Sequence, residues 1–207
     1  MSERGKLIIL SGPSGVGKST VVSKTMEYRN DICFSVSVTT RPPRSGEVEG
    51  KDYFFITKER FVEMVNNHEL LEYATYVENS YGTPFPFVEE KLAAGYNVIL
   101  DIEVQGARQV LSKVQDAITV FVLPPSWAEL KKRLAGRGTE TEQSLAARLE
   151  RARQELQEAD FYQYVIINGS VECAAGELDS IITAEHCKRK PEVILDFLNG
   201  FERKDSV

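Results

Sequence analysis

Gly12-Pro13-Ser14-Gly15-Val16-Gly17-Lys18-Ser19 reads G-x-x-x-x-G-K-S and follows directly on the apolar run Leu7-Ile8-Ile9-Leu10. Three glycines in six residues let the backbone wrap an anion with successive N–H groups pointing inward, and a helix starting near Lys18 adds the positive end of its dipole. In such a phosphate-binding loop Lys18 offers a movable positive charge to the β- and γ-phosphates of a nucleoside triphosphate, and the Ser19 hydroxyl ligates Mg²⁺. With Thr20, these nine residues form the expected ATP-binding run. The plain alternative is a glycine-rich turn with a solvent lysine. A chance match in a chain of this length is on the order of one percent, and the apolar run before it lowers that further.

Other charged residues sit where they could serve the same chemistry. Asp101 closes the apolar run Asn97-Val98-Ile99-Leu100, the place where a phosphate-loop protein holds the carboxylate that orients Mg²⁺, directly or through water. Glu103, two residues on, reads equally as a site or a surface carboxylate. Arg41 and Arg44 flank Pro42-Pro43 and present forked donors of the kind that clamp phosphate. Arg137 lies between Gly136 and Gly138, in a loop that could close as a lid. Arg133, Arg148 and Arg151 fall in or beside helices, where surface ion pairing is the ordinary fate. His68 and His186 are isolated in sequence and suggest neither a metal site nor imidazole catalysis. Transfer to a phosphate acceptor needs neither, because its oxygen is already ionised at neutral pH.

The pattern around these residues predicts alternating strands and helices. A helix from 18 to about 28 buries Val21, Val22, Thr25 and Met26, and strands follow at 32–36, 97–101, 118–123 and 164–168. Helices are expected at 104–113, from about 126, and through Leu145, Leu149, Ala152 and Leu156. Runs buried on both faces and separated by helices imply an α/β fold with a parallel sheet. Between the second strand and the resumption of that rhythm, residues 38–90 read as an inserted α+β unit. It has short strands near 53–56 and 70–76, and a helix capped by Thr57 with Phe61, Met64 and Val65 inward. After Pro191, the residues Val193, Ile194, Phe197, Leu198 and Phe201 have helical spacing. They predict a further helix packed on its own core rather than a subunit interface, although a homo-oligomer stays open.

The 207 residues carry a net charge of −6, which argues against general binding to nucleic acid or anionic membranes. The start of the chain leads to only four strongly apolar residues, too few for a signal peptide, so a cytoplasmic location is expected. Cys33, Cys173 and Cys187 lack metal or disulfide spacing and are expected to pack as free thiols. Asn168-Gly169-Ser170 is read as a turn after the last strand.

Several further motifs occur in order with these: Ser35-Val36-Ser37-Val38-Thr39-Thr40-Arg41-Pro42-Pro43-Arg44, Gly46-Glu47-x-x-Gly50-Lys51-Asp52-Tyr53, Leu71-Glu72-Tyr73, Tyr81-Gly82-Thr83, Leu100-Asp101-Ile102-Glu103-x-Gln105-Gly106 and Gly136-Arg137-Gly138-Thr139-Glu140-Thr141. With the phosphate loop they resemble guanylate kinases, the bacterial ones in particular, over residues 4–188. The resemblance implies a phosphate-loop NTPase core (4–37 and 91–188), an inserted GMP-binding subdomain (38–90), a lid (137–150) and a tail (189–207) outside it. It implies that Arg41, Arg44, Tyr53 and Tyr81 hold the GMP phosphate, that Ser37, Glu72 and Thr83 hold guanine, and that Asp101 belongs to the same site. Arg137 and Arg148 would act with Lys18 on the phosphates being transferred. The implied activity is Mg²⁺-dependent transfer from ATP to GMP or dGMP in purine nucleotide metabolism. A carboxylate suits guanine, since it accepts from N1–H and the 2-amino group together and adenine lacks that donor pair. Rivals are an interaction module of the same fold, disfavoured by Lys18 and Ser19, and a kinase for another phosphorylated substrate, disfavoured by the trio Ser37, Glu72 and Thr83. The absence of N-K-x-D disfavours a signalling GTPase.

Overall fold

Four apolar side chains in a row can all be buried only in a strand with a neighbour on each side and helices over both faces. The computed structural model, which describes residues 3–76, 78–135, 142–188, 194–195 and 197–198, places 7–10 in such a strand. This is β1 (Leu7–Ser11), and it pairs in parallel with β7 (Asn97–Asp101) and β8 (Ile118–Leu123). With β2 (Ile32–Phe34) and β9 (Tyr164–Ile167) the order is β2-β7-β1-β8-β9. Alternate residues of β1 feed two cores. Ile8 and Leu10 join Val21 and Val22 of α1 (Lys18–Met26) and Leu178 and Ile182 of α7 (Val171–Cys187). Leu7 and Ile9 join Val88 and Leu92 of α3 (Phe85–Ala93) and Val104, Ala107 and Val110 of α4 (Val104–Lys113). Each fully buried Val, Leu or Ile here stabilises the fold by about 1.5–3 kcal/mol over its exposed state.

A second sheet, β4-β3-β6-β5, is built between β2 and α3. It consists of β3 (Val38–Thr39), β4 (Phe54–Phe55), β5 (Leu70–Tyr76) and β6 (Asn79–Pro84). Over it lies α2 (Lys58–Asn66), whose Thr57 side chain caps the Arg60 N–H and whose Phe61 and Met64 pack on Val38 and Leu70. This sheet is fastened to the first through α4. Lys113 Nζ donates to the carbonyls of Leu70 and Leu71 at 2.8 Å each, and one turn earlier the Gln109 amide bonds Tyr73 N–H and C=O at 3.1 and 3.0 Å. The remaining helices are α5 (Trp127–Ala135) and α6 (Glu142–Gln157), which share Leu130, Leu134 and Ala152.

Several expectations from the sequence are corrected. The second strand stops at Phe34 rather than 36. Met26 is exposed, because the helix ends with it beyond the buried face set by Val21, Val22 and Thr25. The strand at 164–167 is not buried on both faces. It is the sheet edge, α7 covers its Ile166 side, and Val165 and Ile167 face outward. Cys173 and Cys187 are exposed rather than packed. In the tail, Ile194, Phe197 and Leu198 are exposed, so these three do not enter a core; Val193 and Phe201 lie outside the described residues.

Candidate functional site

The loop between β1 and α1 is shaped by its glycines and held from outside. Gly12 has φ 146°, and a Cβ there would stand 2.3 Å from the Val122 carbonyl oxygen, so the chain can leave β1 at this angle only with glycine. The Val16 carbonyl accepts from Asn168 Nδ2 at 2.8 Å and Arg133 Nη1 at 3.2 Å. Asn168, read from sequence as a turn, is therefore a buried support of the loop, and Arg133 is another. At the helix start Gly17 caps without a side chain and the first turn has no acidic residue, so the positive end of the helix stays available to an anion. Ser19 and Thr20 are exposed there. Lys18 Nζ donates to the Gly12 carbonyl at 2.8 Å and lies 3.4 Å from Asp101 Oδ1. Asp101 is exposed at the strand end, yet desolvation by the protein around it raises its pKa, and Lys18 opposes the shift. Across the opening Arg148 Nη2 donates to Ser14 Oγ at 2.8 Å. Gly12, Ser14, Lys18, Asp101, Glu103 and Arg148 are thus walls of one cavity of 360 Å³.

A second cavity of 320 Å³ opens between the sheets, lined by Ser37, Tyr53, Glu72, Tyr76, Tyr81 and Asp101 among others. The register of β5 shifts between Leu70 and Tyr73, so that Leu70, Leu71 and Glu72 are all buried instead of alternating. Such a bulge re-aims a side chain. Glu72 turns toward α4, and Thr83 Oγ1 of the neighbouring β6 donates to its Oε1 at 2.7 Å. Gly106 of α4 makes room: a Cβ there would stand 2.9 Å from Glu72 Oε2. Burial raises the Glu72 pKa and the Glu103 charge adds to this, with the Thr83 hydrogen bond pulling the other way. The two cavities share Asp101, Ile102 and Glu103, so ligands in them would meet beside Asp101.

The arginine pair behaves differently from the expectation of two forks facing one phosphate. Arg41 makes a two-pronged pair with Glu47, at 2.8 and 2.9 Å, and lies over Tyr53 with its guanidinium carbon 5.4 Å from the ring centre. Arg44 is exposed on the loop, where its N–H donates to Glu47 at 2.7 Å. Neither arginine lines the two cavities; Tyr53 and Tyr81, 5.9 Å apart between ring centres, do. Arg137 lies outside the described residues.

A family profile described as guanylate kinase matches residues 4–185. The chain belongs to the guanylate kinase family. It is 52% identical over 186 residues to the guanylate kinase of Lactococcus lactis subsp. lactis, covering 90% of this chain and 91% of that one. It is 48% identical over 188 residues to that of Halalkalibacterium halodurans, covering 91% and 92%. The crystal structure of guanylate kinase from Anaplasma phagocytophilum superposes with a TM-score of 0.70 at 35% identity, over 89% of this chain and 87% of that chain. Family membership agrees with the parallel α/β core, and among the described residues no helix is long and apolar enough to cross a membrane.

Within this guanylate kinase framework the geometry adds residues that sequence reasoning passed over. Arg151 does not simply pair along its own helix. Its Nη2 lies 2.6 Å from both oxygens of Glu103, and its Nε is 3.4 Å from Glu155. The Tyr76 hydroxyl donates to the same Glu103 carboxylate. Glu155 has its pKa raised, by burial first and the Glu103 charge second. Glu47, Arg133 and Asn168 likewise acquire roles through partners that sequence alone did not supply.

Proposed function

We propose that the chain transfers the γ-phosphoryl group of ATP to the phosphate of GMP, giving ADP and GDP. The observation that carries this reading is the pair of cavities sharing Asp101, one walled by the phosphate loop and the other by Glu72 and three tyrosines. ATP binds along 12–20 with its triphosphate on the loop N–H groups. GMP binds in the unit built from 38–90, guanine against Glu72, Thr83 and Ser37, and its phosphate toward Tyr53, Tyr81, Arg41 and Arg44. The Arg41–Glu47 pair must open or share its donors to meet that phosphate. Asp101 stands where the two substrates meet.

The acceptor oxygen arrives ionised, so the protein's work is alignment and charge neutralisation. Lys18 neutralises the transferring group from the loop side. Arg148, and Arg137 with it, do so from the segment 137–150, which closes as a lid and excludes competing water. The Ser19 hydroxyl and the Asp101 carboxylate are hard oxygen donors suited to Mg²⁺ that keeps several waters. Held by Ser19 and Asp101, Mg²⁺ would supply neutralisation of the phosphate charge.

A coupled assay of ADP formation with GMP, AMP, UMP and CMP as acceptors tests the reading. GMP should lead the others in kcat/KM by about 10²-fold or more, since a site built around the guanine donor pair leaves buried groups unpaired with any other base. Equal use of AMP or UMP would overturn it. A second test addresses the fit of Glu72 against α4. Gly106→Ala should change thermal stability by no more than about 1 kcal/mol, because alanine's advantage over glycine in a helix, about 0.5–1 kcal/mol, opposes the cost of displacing the buried Glu72 carboxylate. Its added methyl should nonetheless push the Glu72 carboxylate aside and raise KM for GMP several-fold, with KM for ATP unchanged.

A further inference from the structure

Three elements converge on the Glu103 carboxylate. Glu103 itself is the N-cap residue of α4, Arg151 reaches it from α6, and Tyr76 reaches it from the far end of β5. The Arg151 guanidinium also lies over the Tyr76 ring, 5.5 Å from its centre, so the three side chains form a closed cluster. An isolated ion pair with side chains 52% and 43% exposed would contribute little. This one differs in place and connectivity. Both partners are walls of the loop-side cavity, and Glu103 and Tyr76 are walls of the second. Its environment also matters: Asp101, Glu103 and Glu155 bring three carboxylates to the edge of a cavity meant for polyanions. One turn before Arg151, Arg148 points to the phosphate loop at Ser14. The Arg151 donors are directed instead at Glu103 and Glu155.

We propose that Arg151 is a positioning residue for the GMP site: acting through Glu103 and Tyr76, it holds the tip of β5 against α4 and cancels carboxylate charge at the junction of the cavities. This rests on the reading of the second cavity as the GMP site. It follows that a residue on α6, just past the lid segment 137–150, governs affinity for the acceptor rather than for ATP.

The test is steady-state kinetics on the full chain for wild type, Arg151→Ala, Arg151→Lys, Glu103→Gln, Tyr76→Phe and the double variant Arg151→Ala/Glu103→Gln. Arg151→Ala should raise KM for GMP about five- to twentyfold and KM for ATP less than about twofold, because its charge-assisted bonds run to Glu103 and Glu155 rather than to the phosphate loop. Arg151→Lys, which keeps charge but loses the fork, should recover part of the loss. Tyr76→Phe should raise KM for GMP in the same direction. The double variant should be no worse than Glu103→Gln alone within about twofold, because residues of one network are not additive. Additive losses, a rise in KM for ATP equal to that for GMP, or unchanged KM for both would overturn the proposal while leaving the activity standing. A wild-type protein inactive on GMP would instead overturn the functional reading, and this proposal with it.

Discussion

Lys18→Ala is expected to lower kcat by about 10²–10³-fold, the usual cost of deleting one preorganised group aimed at developing negative charge. In the structure Lys18 Nζ is already directed at the loop, through the Gly12 carbonyl, and stands beside Asp101. No core cluster includes Lys18. Thermal stability should therefore change little while phosphoryl transfer collapses, and KM for both substrates should move far less than kcat. A variant within about threefold of wild-type activity would remove the phosphate loop from the mechanism, since that is less than 1 kcal/mol of transition-state stabilisation.

Glu72→Gln should raise KM for GMP about ten- to a hundredfold, corresponding to about 1.5–3 kcal/mol for hydrogen bonds to a charged acceptor. The substitution keeps the shape that fits against Gly106 but turns one acceptor into a donor facing guanine's own N–H groups. KM for ATP should barely change. A pH arm sharpens the test. Burial raises the Glu72 pKa, so the ionised form that accepts from guanine is present above that pKa and is lost as pH falls through it. KM for GMP in the wild type should rise on acidification at a pH above the ordinary glutamate range of about 4.3. The GMP phosphate titrates near pH 6 in both proteins, so the Glu72 contribution is the difference between the two profiles. A variant profile identical to wild type would take Glu72 out of base recognition.

The core was legible because its signals are local. The segments 97–101, 104–113 and 118–123 are found where apolar runs and period placed them. Thr57 caps α2 as its residue type predicts. What was not legible depends on partners far along the chain. Glu72 stood out only through family resemblance, because its inward turn needs a bulge in β5 and a glycine in α4 that no periodicity announces. Arg151 was read as a helix-surface residue, and its i,i+4 neighbour Glu155 agrees with that reading. Its stronger partner, Glu103, lies 48 residues away. The partner of Arg41 was equally hidden: two arginines around two prolines suggest a phosphate clamp, and the sequence does not announce that Glu47 pairs with the first of them.

The bonds from Lys113 and Gln109 make β5 a cantilever. Its clamped part runs from Leu70 to Tyr73, and Glu72 lies inside the clamp, so the carboxylate moves with the core frame and not with the rest of the hairpin. Beyond Tyr73 an arm of about 10 Å leads to Tyr76, and its tip is propped against the start of α4 by the bond from Tyr76 to Glu103. The two supports are independent: losing the prop would loosen the tip first, because Glu72 is set by bonds at the other end of the strand.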